Sequence, residues 1–240
     1  MINYNNPFIR FLLNIYFQVR PLRIKEVFQG TKAWEDYWIN RKRGNDWNSN
    51  SKDWVEGYWK SIDHPHRKLL VDAVSEFNPK SILEVGCASG PNLYLLAKKY
   101  PKAEIWGIDI NRQAIEYGQD MFIQEGIRNV KLAVGRADSL LFDDNTFDVV
   151  ISDATLIYLG PDKIWQTLAR MVDISKTGLV LVERQISNES AGIYKDGLWQ
   201  RDYIWMSKVL TDSNWFKAIR ITKDIWPEWA ETGYVISMRK

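Results

Sequence analysis

The sequence predicts an α/β fold, a mostly parallel sheet covered by helices on both faces. Two observations carry that prediction. Between residues 67 and 184, short runs rich in branched aliphatic residues alternate with segments of helical periodicity, the pattern of strands joined by crossover helices. The strand runs are apolar almost throughout, as strands buried on both faces must be.

The elements follow in chain order. Asn5-Asn6-Pro7 opens a helix that runs to about Arg20, with asparagine as cap and proline in the first turn. Residues 1–66 are aromatic, basic and irregular and form an N-terminal arm and helical cap, and residues 67–240 form the main domain. Gly44–Asp53 is polar and turn-prone but too short to separate independent domains. Asp63 is placed to cap a helix beginning at Pro65. Ser81–Val85 is a strand ending in Gly86, Pro91–Tyr100 a helix, Glu104–Ile110 a strand and Arg112–Glu125 a helix. Val130–Val134, Phe147–Ser152 and Gly178–Glu183 are further strands, with a helix at Lys163–Val172. Trp199–Leu210 reads as a helix, and Trp215–Thr222 and Tyr234–Met238 as two strands that can pair antiparallel.

Composition narrows the function. With 240 residues, 45% hydrophobic and 26% charged, the chain can bury a core. Thirty-two Lys and Arg against thirty Asp and Glu give a net charge of +2, so nucleic acid is disfavoured as a partner, although residues 1–43 hold eight basic against three acidic residues. The one cysteine, Cys87, excludes an internal disulfide and a multi-cysteine zinc site. A reducing cytoplasm fits best. No run approaches the roughly 20 apolar residues of a membrane span.

The sharpest local signal is Ile82-Leu83-Glu84-Val85-Gly86-Cys87-Ala88-Ser89-Gly90. A buried strand ends in a carboxylate and a tight turn with glycine at both ends. Gly86 lets the backbone turn, and Gly90 lets a ligand approach the helix start. A dinucleotide fingerprint would need its last glycine where Pro91 stands, so the loop is a poor match for NAD. Asp109, nineteen residues after Gly90, ends the next strand, where a carboxylate can accept from ribose hydroxyls. Asp138 lies just beyond the third strand, where a carboxylate can accept from an adenine amino group. A purely structural role is the alternative for each: a strand-end carboxylate, a helix cap, a turn cap.

Glu84–Gly90, Asp109, Ala137-Asp138 and the Phe142–Ser152 run, in this order, resemble the successive motifs of class I S-adenosylmethionine-dependent methyltransferases. The resemblance spans about residues 67–184. It implies a Rossmann-like three-layer sandwich whose seven-stranded, mostly parallel sheet has a reversed last strand. It also implies S-adenosylmethionine as cofactor. Glu84 and the backbone of Gly86, Cys87, Ala88 and Gly90 would hold the methionine end, Asp109 with Ile110 the ribose, and Asp138 with the Ala137 backbone the adenine. Ser152 and Asp153, at the start of the segment running to Leu159, would line the methyl site. Ala88 stands where many members have a second glycine.

Methyl transfer from a sulfonium is an in-line displacement. It needs alignment and dryness, and a base only where the acceptor loses a proton. The segment after the fourth strand lacks the Asn/Asp-Pro-Pro-aromatic motif of enzymes that methylate DNA amino groups, and no second cysteine is present to act as a nucleophile. Asp153 lacks evident partners for a metal, so no metal is expected. The only two histidines, His64 and His66, precede the first strand and are candidates for the base, with Tyr158 and Glu183 behind them. Exposed positions in a first helical turn are the alternative for the pair. Ten of twelve tryptophans lie outside residues 81–184, which suits an aromatic-lined pocket for a small-molecule acceptor. Most of them should pack the cap. The acceptor atom is expected to be oxygen or nitrogen. A lipid-linked or membrane-associated acceptor, and a non-catalytic cofactor-binding subunit, are the rival expectations.

Residues 1–25 carry four basic residues and no acid. At roughly 1.5 Å per residue the arm's helix is too short to span a bilayer. Its apolar face can pack within the molecule, in a homodimer, or peripherally on a membrane, and the first two are favoured. Deleting residues 2–25 is expected to leave cofactor binding nearly intact while changing turnover, assembly state or flotation with anionic liposomes. A deletion variant that fails to fold would make the arm part of the core.

Overall fold

The computed structural model describes residues 24–44, 53–188, 192–211 and 213–240. The expected helix from Asn5 to Arg20 and most of the Gly44–Asp53 stretch lie outside the described residues. Among the described residues no helix is long and apolar enough to cross a membrane.

The described residues open with α1 (Ile24–Asn40), α2 (Trp54–Lys60) and α3 (Pro65–Ser75). It then alternates β1 (Ser81–Val85), α4 (Pro91–Lys99), β2 (Glu104–Asp109), α5 (Arg112–Gln124) and β3 (Val130–Val134). β4 (Phe147–Asp153), α6 (Ile164–Ile174) and β5 (Ser175–Arg184) follow directly, and the chain ends in β6 (Ile193–Lys195), β7 (Leu198–Gln200), α7 (Tyr203–Leu210), β8 (Phe216–Arg220) and β9 (Gly233–Arg239). The main sheet has seven strands in the order β3-β2-β1-β4-β5-β9-β8. The first five are mutually parallel, β9 runs antiparallel to β5, and β8 runs antiparallel to β9. The order reverses between β1 and β4, so a crevice opens beyond their carboxyl ends.

Side-chain alternation sorts each strand into two cores. Ile82, Val149, Ile151, Val180 and Val182 face Leu70 and Val74 of α3 and Leu93 and Leu96 of α4. Leu83, Val85, Val150, Leu179 and Leu181 face Leu168 and Met171 of α6 and Met206 of α7. The result is the three-layer sandwich expected from the sequence. Asp148 anchors the start of β1, as its Oδ2 accepts from the backbone N–H of Lys80 at 2.7 Å and of Ser81 at 3.1 Å.

Two local expectations are corrected. Residues 199–200 belong not to a helix but to a small hairpin in which β6 pairs with β7. Here Gly197 takes φ +82° and Asp196 φ +53°, the paired left-handed conformation that two-residue hairpin turns demand. The helix starts only after Asp202, whose carboxylate accepts from the Trp205 N–H. At α3 the N-cap is His64 and not Asp63, and no side chain caps that end.

Candidate functional site

β1 runs out at Val85 into a loop whose shape depends on three left-handed residues, Gly86 (φ +78°), Ala88 (φ +47°) and Gly90 (φ +87°). At Gly86 a Cβ would stand 1.9 Å from Thr155 Oγ1, so glycine is required by the close approach of the segment after β4. At Gly90 a Cβ would stand 2.9 Å from the ring of Phe122. Glycine at 90 therefore also lets α5 pack closely against the loop. Ala88 holds a conformation that glycine adopts more readily.

The loop's N–H groups are used internally. Those of Gly86 and Cys87 both donate to the carbonyl of Ile108, at 2.8 and 3.0 Å, and that of Gly90 to Cys87 at 2.8 Å. Asp109 Oδ2 accepts from the Ala88 N–H at 2.8 Å, and its Oδ1 from the Asn111 N–H at 2.8 Å. Asp109 thus ties the end of β2 to the loop, and burial pushes its carboxyl up from the ordinary value. It does not cap α5, a role taken by Asn111 through the Ala114 N–H. The Cys87 thiol is buried, also pushed up by burial, and faces the core. Ile110 is half-buried beside Asp109.

Alternation brings Glu84 and Asp153 to one face, since Glu84 pairs with Ile151 and Asp153 lies two residues on. Both are buried, at 1% and 3% exposure. Asp153 Oδ2 accepts from His66 Nε2 at 2.9 Å, Asn92 Nδ2 at 2.9 Å and Arg67 Nη1 at 3.4 Å. Asn92 Nδ2 also donates to Glu84 Oε1 at 2.7 Å, and Asn92 Oδ1 accepts from Arg67 at 2.7 Å. Burial alone would raise Asp153, but His66, Arg67 and Asn92 overcome it and hold the carboxyl at about 2. Burial raises Glu84 to about 8. Glu84 Oε2 and Asp153 Oδ1 are buried with no hydrogen-bond partner among the described residues.

Ser152 points to the opposite face, toward α6, and is not gathered with Glu84 and Asp153. Its hydroxyl donates to Glu183 Oε1 at 2.7 Å. Glu183 also accepts from the N–H groups of Thr155, Leu156 and Ile157, so it fixes the segment after β4. Burial pushes it up to about 7.

α1 covers this end of the sheet. Trp34, Glu35 and Trp38 share its half-buried face. Trp34 and Trp38 hold the Tyr158 ring between them, at centroid distances of 4.8 and 5.4 Å. Trp38 meets Trp54 at 5.7 Å, and the Arg41 guanidinium lies over Trp54 at 4.6 Å. Asn111 donates to the carbonyls of Trp38 and Arg41, and Trp34 Nε1 donates to Gly197 in the hairpin turn at 2.6 Å. Burial pushes the Tyr158 phenol up to about 12. Asp138 pairs with Arg136 at 2.9 Å and Lys163 at 3.0 Å, and both cations also meet Glu35 of α1. Ala137 packs against the α6-side core.

His66 is 3% exposed and His64 is half-buried. Their Nδ1 atoms are 2.6 Å apart. Trp226 packs on both rings, at 5.1 Å from His64 and 4.6 Å from His66. Burial, then the neighbouring His66 and Arg67, pull His64 down to about 4. Sequence reasoning missed Asn92 and Arg67. Asn92 sits one residue into α4 after the helix-starting proline, and a polar residue in an otherwise apolar helix start was the available signal. No group of three or more candidate metal ligands exists among the described residues.

Residues 82–178 match a family model described as a methyltransferase domain. Among curated proteins the chain is similar to an aklanonic acid methyltransferase from a Streptomyces species, 32% identical over 115 residues, 48% of this chain and 51% of that one. It is also similar to a demethylmenaquinone methyltransferase from Thermotoga maritima, 29% identical over 89 residues and 37% of each chain. The chain spans about half or less of the length of these relatives. A solved magnesium protoporphyrin IX methyltransferase from Synechocystis, with S-adenosylmethionine bound, shares the fold at a TM-score of 0.58, 17% identity, and coverage of 88% of this chain and 97% of that one.

Glu84 gives the ligand-free protein a pH signature. Its folded value of about 8 lies above the ordinary 4.5, so the folded state keeps a proton that the unfolded chain has released. Its contribution is full below about pH 4.5 and is lost as pH rises through about 8. Glu183 behaves likewise but is finished near 7. Between about pH 7 and about pH 8.5, urea denaturation is expected to show declining stability in the native protein and a flat profile in Glu84→Gln. An equal decline in both would remove Glu84 as the cause.

Proposed function

We propose that this chain, whose residues 82–178 match a methyltransferase-domain model, belongs to the class I S-adenosylmethionine-dependent superfamily and transfers a methyl group to an oxygen or nitrogen of a small-molecule acceptor. The observation that carries the reading is the pair of buried, unpartnered carboxylate oxygens, Glu84 Oε2 and Asp153 Oδ1, at the switch point of the sheet. A buried polar oxygen without a partner is costly, and an ammonium group, displacing the proton that burial keeps on Glu84 in the ligand-free protein, is the donor that satisfies both carboxylates at once. S-adenosylmethionine carries one at its methionine end. A dinucleotide pyrophosphate would need free N–H groups at this turn, whereas those of Gly86, Cys87, Ala88 and Gly90 point inward.

When bound, the cofactor supplies an electrophilic methyl group on a sulfonium. The chain's own residues take these roles in the reading. Glu84 and Asp153 hold the ammonium with the carbonyls of the Gly86–Gly90 loop. Asp109 keeps lone pairs on both oxygens for the ribose hydroxyls. Asp138, with the Ala137 backbone, faces the adenine and is steadied by Arg136 and Lys163. Residues 1–66 act as the cap over the domain of residues 67–240. Trp34, Trp38 and Tyr158 line the acceptor side, and the buried indole N–H groups of Trp38 and Trp54, without a partner among the described residues, suit a ligand carrying acceptors. His66 and His64 supply the base for an acceptor that must lose a proton. The buried Cys87 thiol suits work in a reducing cytoplasm.

A membrane-associated acceptor is the second reading, supported by one observation: Tyr37 and Ile39 are exposed on the outer face of α1, directly after the apolar arm. Flotation with anionic liposomes separates the two readings.

The primary test is ligand selectivity. S-adenosylmethionine and S-adenosylhomocysteine are expected to raise the Tm, and NAD to leave it unchanged. Asp109→Ala is expected to weaken S-adenosylhomocysteine binding by about 1–3 kcal/mol in calorimetry, the loss of charge-assisted hydrogen bonds. Stabilisation by NAD alone would overturn the reading, and full affinity in folded Asp109→Ala would remove Asp109 from the site.

A further inference from the structure

The two histidines form one line with Asp153, and the line has a direction. Asp153 is held as an anion, so its Oδ2 can only accept, and the hydrogen between it and His66 resides on His66 Nε2. While the His66 imidazole is neutral, its Nδ1 then carries a lone pair. The 2.6 Å contact between the two Nδ1 atoms therefore requires the hydrogen on His64 Nδ1. That leaves His64 Nε2 as the unprotonated nitrogen, on the half-buried member of the pair. From this geometry we propose that His64 Nε2 is the proton acceptor for the methyl acceptor, and that His66 and Asp153 are positioning residues that fix its tautomer and take up the charge. The inference rests on the methyltransferase reading and assigns it a substrate class: acceptors with an ionisable O–H or N–H that must be lost, such as a phenol or an enol, in preference to neutral amines, which methylate through a lone pair already present.

The proton balance closes within the line. The acceptor's O–H or N–H bond breaks, its electron pair stays on the acceptor atom, and the proton goes to His64 Nε2. The Nδ1 proton of His64 passes to His66 Nδ1. His64 returns to neutrality, and the imidazolium now sits on His66 against the Asp153 carboxylate, with Trp226 packed on its ring at 4.6 Å. The charged groups facing the line are Arg67 from α3, Asp153 from β4 and Glu228 from the turn before β9. Arg67 opposes protonation of His64, whereas Asp153 and Glu228 favour it. Moving the charge inward to His66 places it in contact with Asp153. Arg67, which reaches the same Asp153 oxygen at 3.4 Å, is anchored by Ser61, which accepts its Nε–H through the carbonyl at 2.9 Å and its Nη2–H through the hydroxyl at 2.7 Å.

The chain has only two histidines, so nitrogen-15 NMR of the full-length protein reads the arrangement directly. At neutral pH the expected spectrum has His66 as the Nε2–H tautomer and His64 as the Nδ1–H tautomer, the form less common in free imidazoles. Diethyl pyrocarbonate, which attacks unprotonated imidazole nitrogen, is expected to modify His64 and spare His66 in peptide mapping. In Asp153→Asn the His64 preference for Nδ1–H is expected to be lost. Should that variant fail to fold, the tautomers and the modification pattern of the unaltered protein decide the matter alone. His64 as the Nε2–H tautomer, or modification at His66 and not at His64, overturns the proposal. Calorimetry with S-adenosylhomocysteine on the same samples keeps the two failures apart. Binding with the wrong tautomer defeats the relay alone, and absence of binding defeats the methyltransferase reading.

Discussion

Asp153 occupies the last position of β4, where alternation turns its side chain toward α3 and α4 and away from water. A carboxylate there is unfavourable unless donors surround it. The chain provides three donors to one oxygen: His66 and Arg67 from the first turn of α3, and Asn92 from the first turn of α4. This fixes how both helices meet the sheet. It also fixes Glu84, which shares Asn92. The loop between β1 and α4 is held from its other side by Asp109. The crevice beyond β1 and β4 is therefore shaped by a few buried polar groups whose removal would leave charges unpaired.

The two faces of the sheet carry different polar clusters at the same level. On the α3/α4 face Glu84 and Asp153 each keep an oxygen without a partner among the described residues. On the α6 face Glu183 collects Ser152 and three backbone N–H groups, and Arg201, wholly buried, donates to the carbonyls of Leu156 and Leu159. In the second cluster Glu183 has both carboxylate oxygens hydrogen-bonded, and the cluster holds the segment that carries Tyr158. In the first, both carboxylates have an oxygen left over among the described residues, the property a ligand site requires. Above both lies α1, attached by aromatic contacts to Tyr158 and by Glu35 to the ion network around Asp138.

Much of this was legible in the sequence because it depends on short-range rules. Apolar runs and helical periods located five parallel strands within a few residues, and the turn between β1 and α4 declared itself through Gly86 and Gly90. The packing of Phe122 on Gly90 was not legible, since that ring approaches only in three dimensions. The β6–β7 hairpin was missed because its turn, Asp196-Gly197, is flanked by strands of three residues that show no usable alternation. Ser152 and Asp153 looked equivalent in the sequence, yet they belong to opposite faces. The His64–His66 pair was visible as residue types, but its order, with His66 inside and His64 outside, follows from Pro65 opening α3 between them and from Asp153 eighty-seven residues downstream of His66.

The central claim is that the incomplete polar cluster at β1 and β4 is the methionine-end site of S-adenosylmethionine. A crystal structure of the protein grown with S-adenosylhomocysteine tests it most directly. The account predicts the ligand's ammonium within hydrogen-bond distance of Glu84 Oε2 and Asp153 Oδ1, its ribose at Asp109, and its adenine beside Asp138 under α1. A ligand bound elsewhere, or bound here with its carboxylate in place of its ammonium against Glu84 and Asp153, would contradict it.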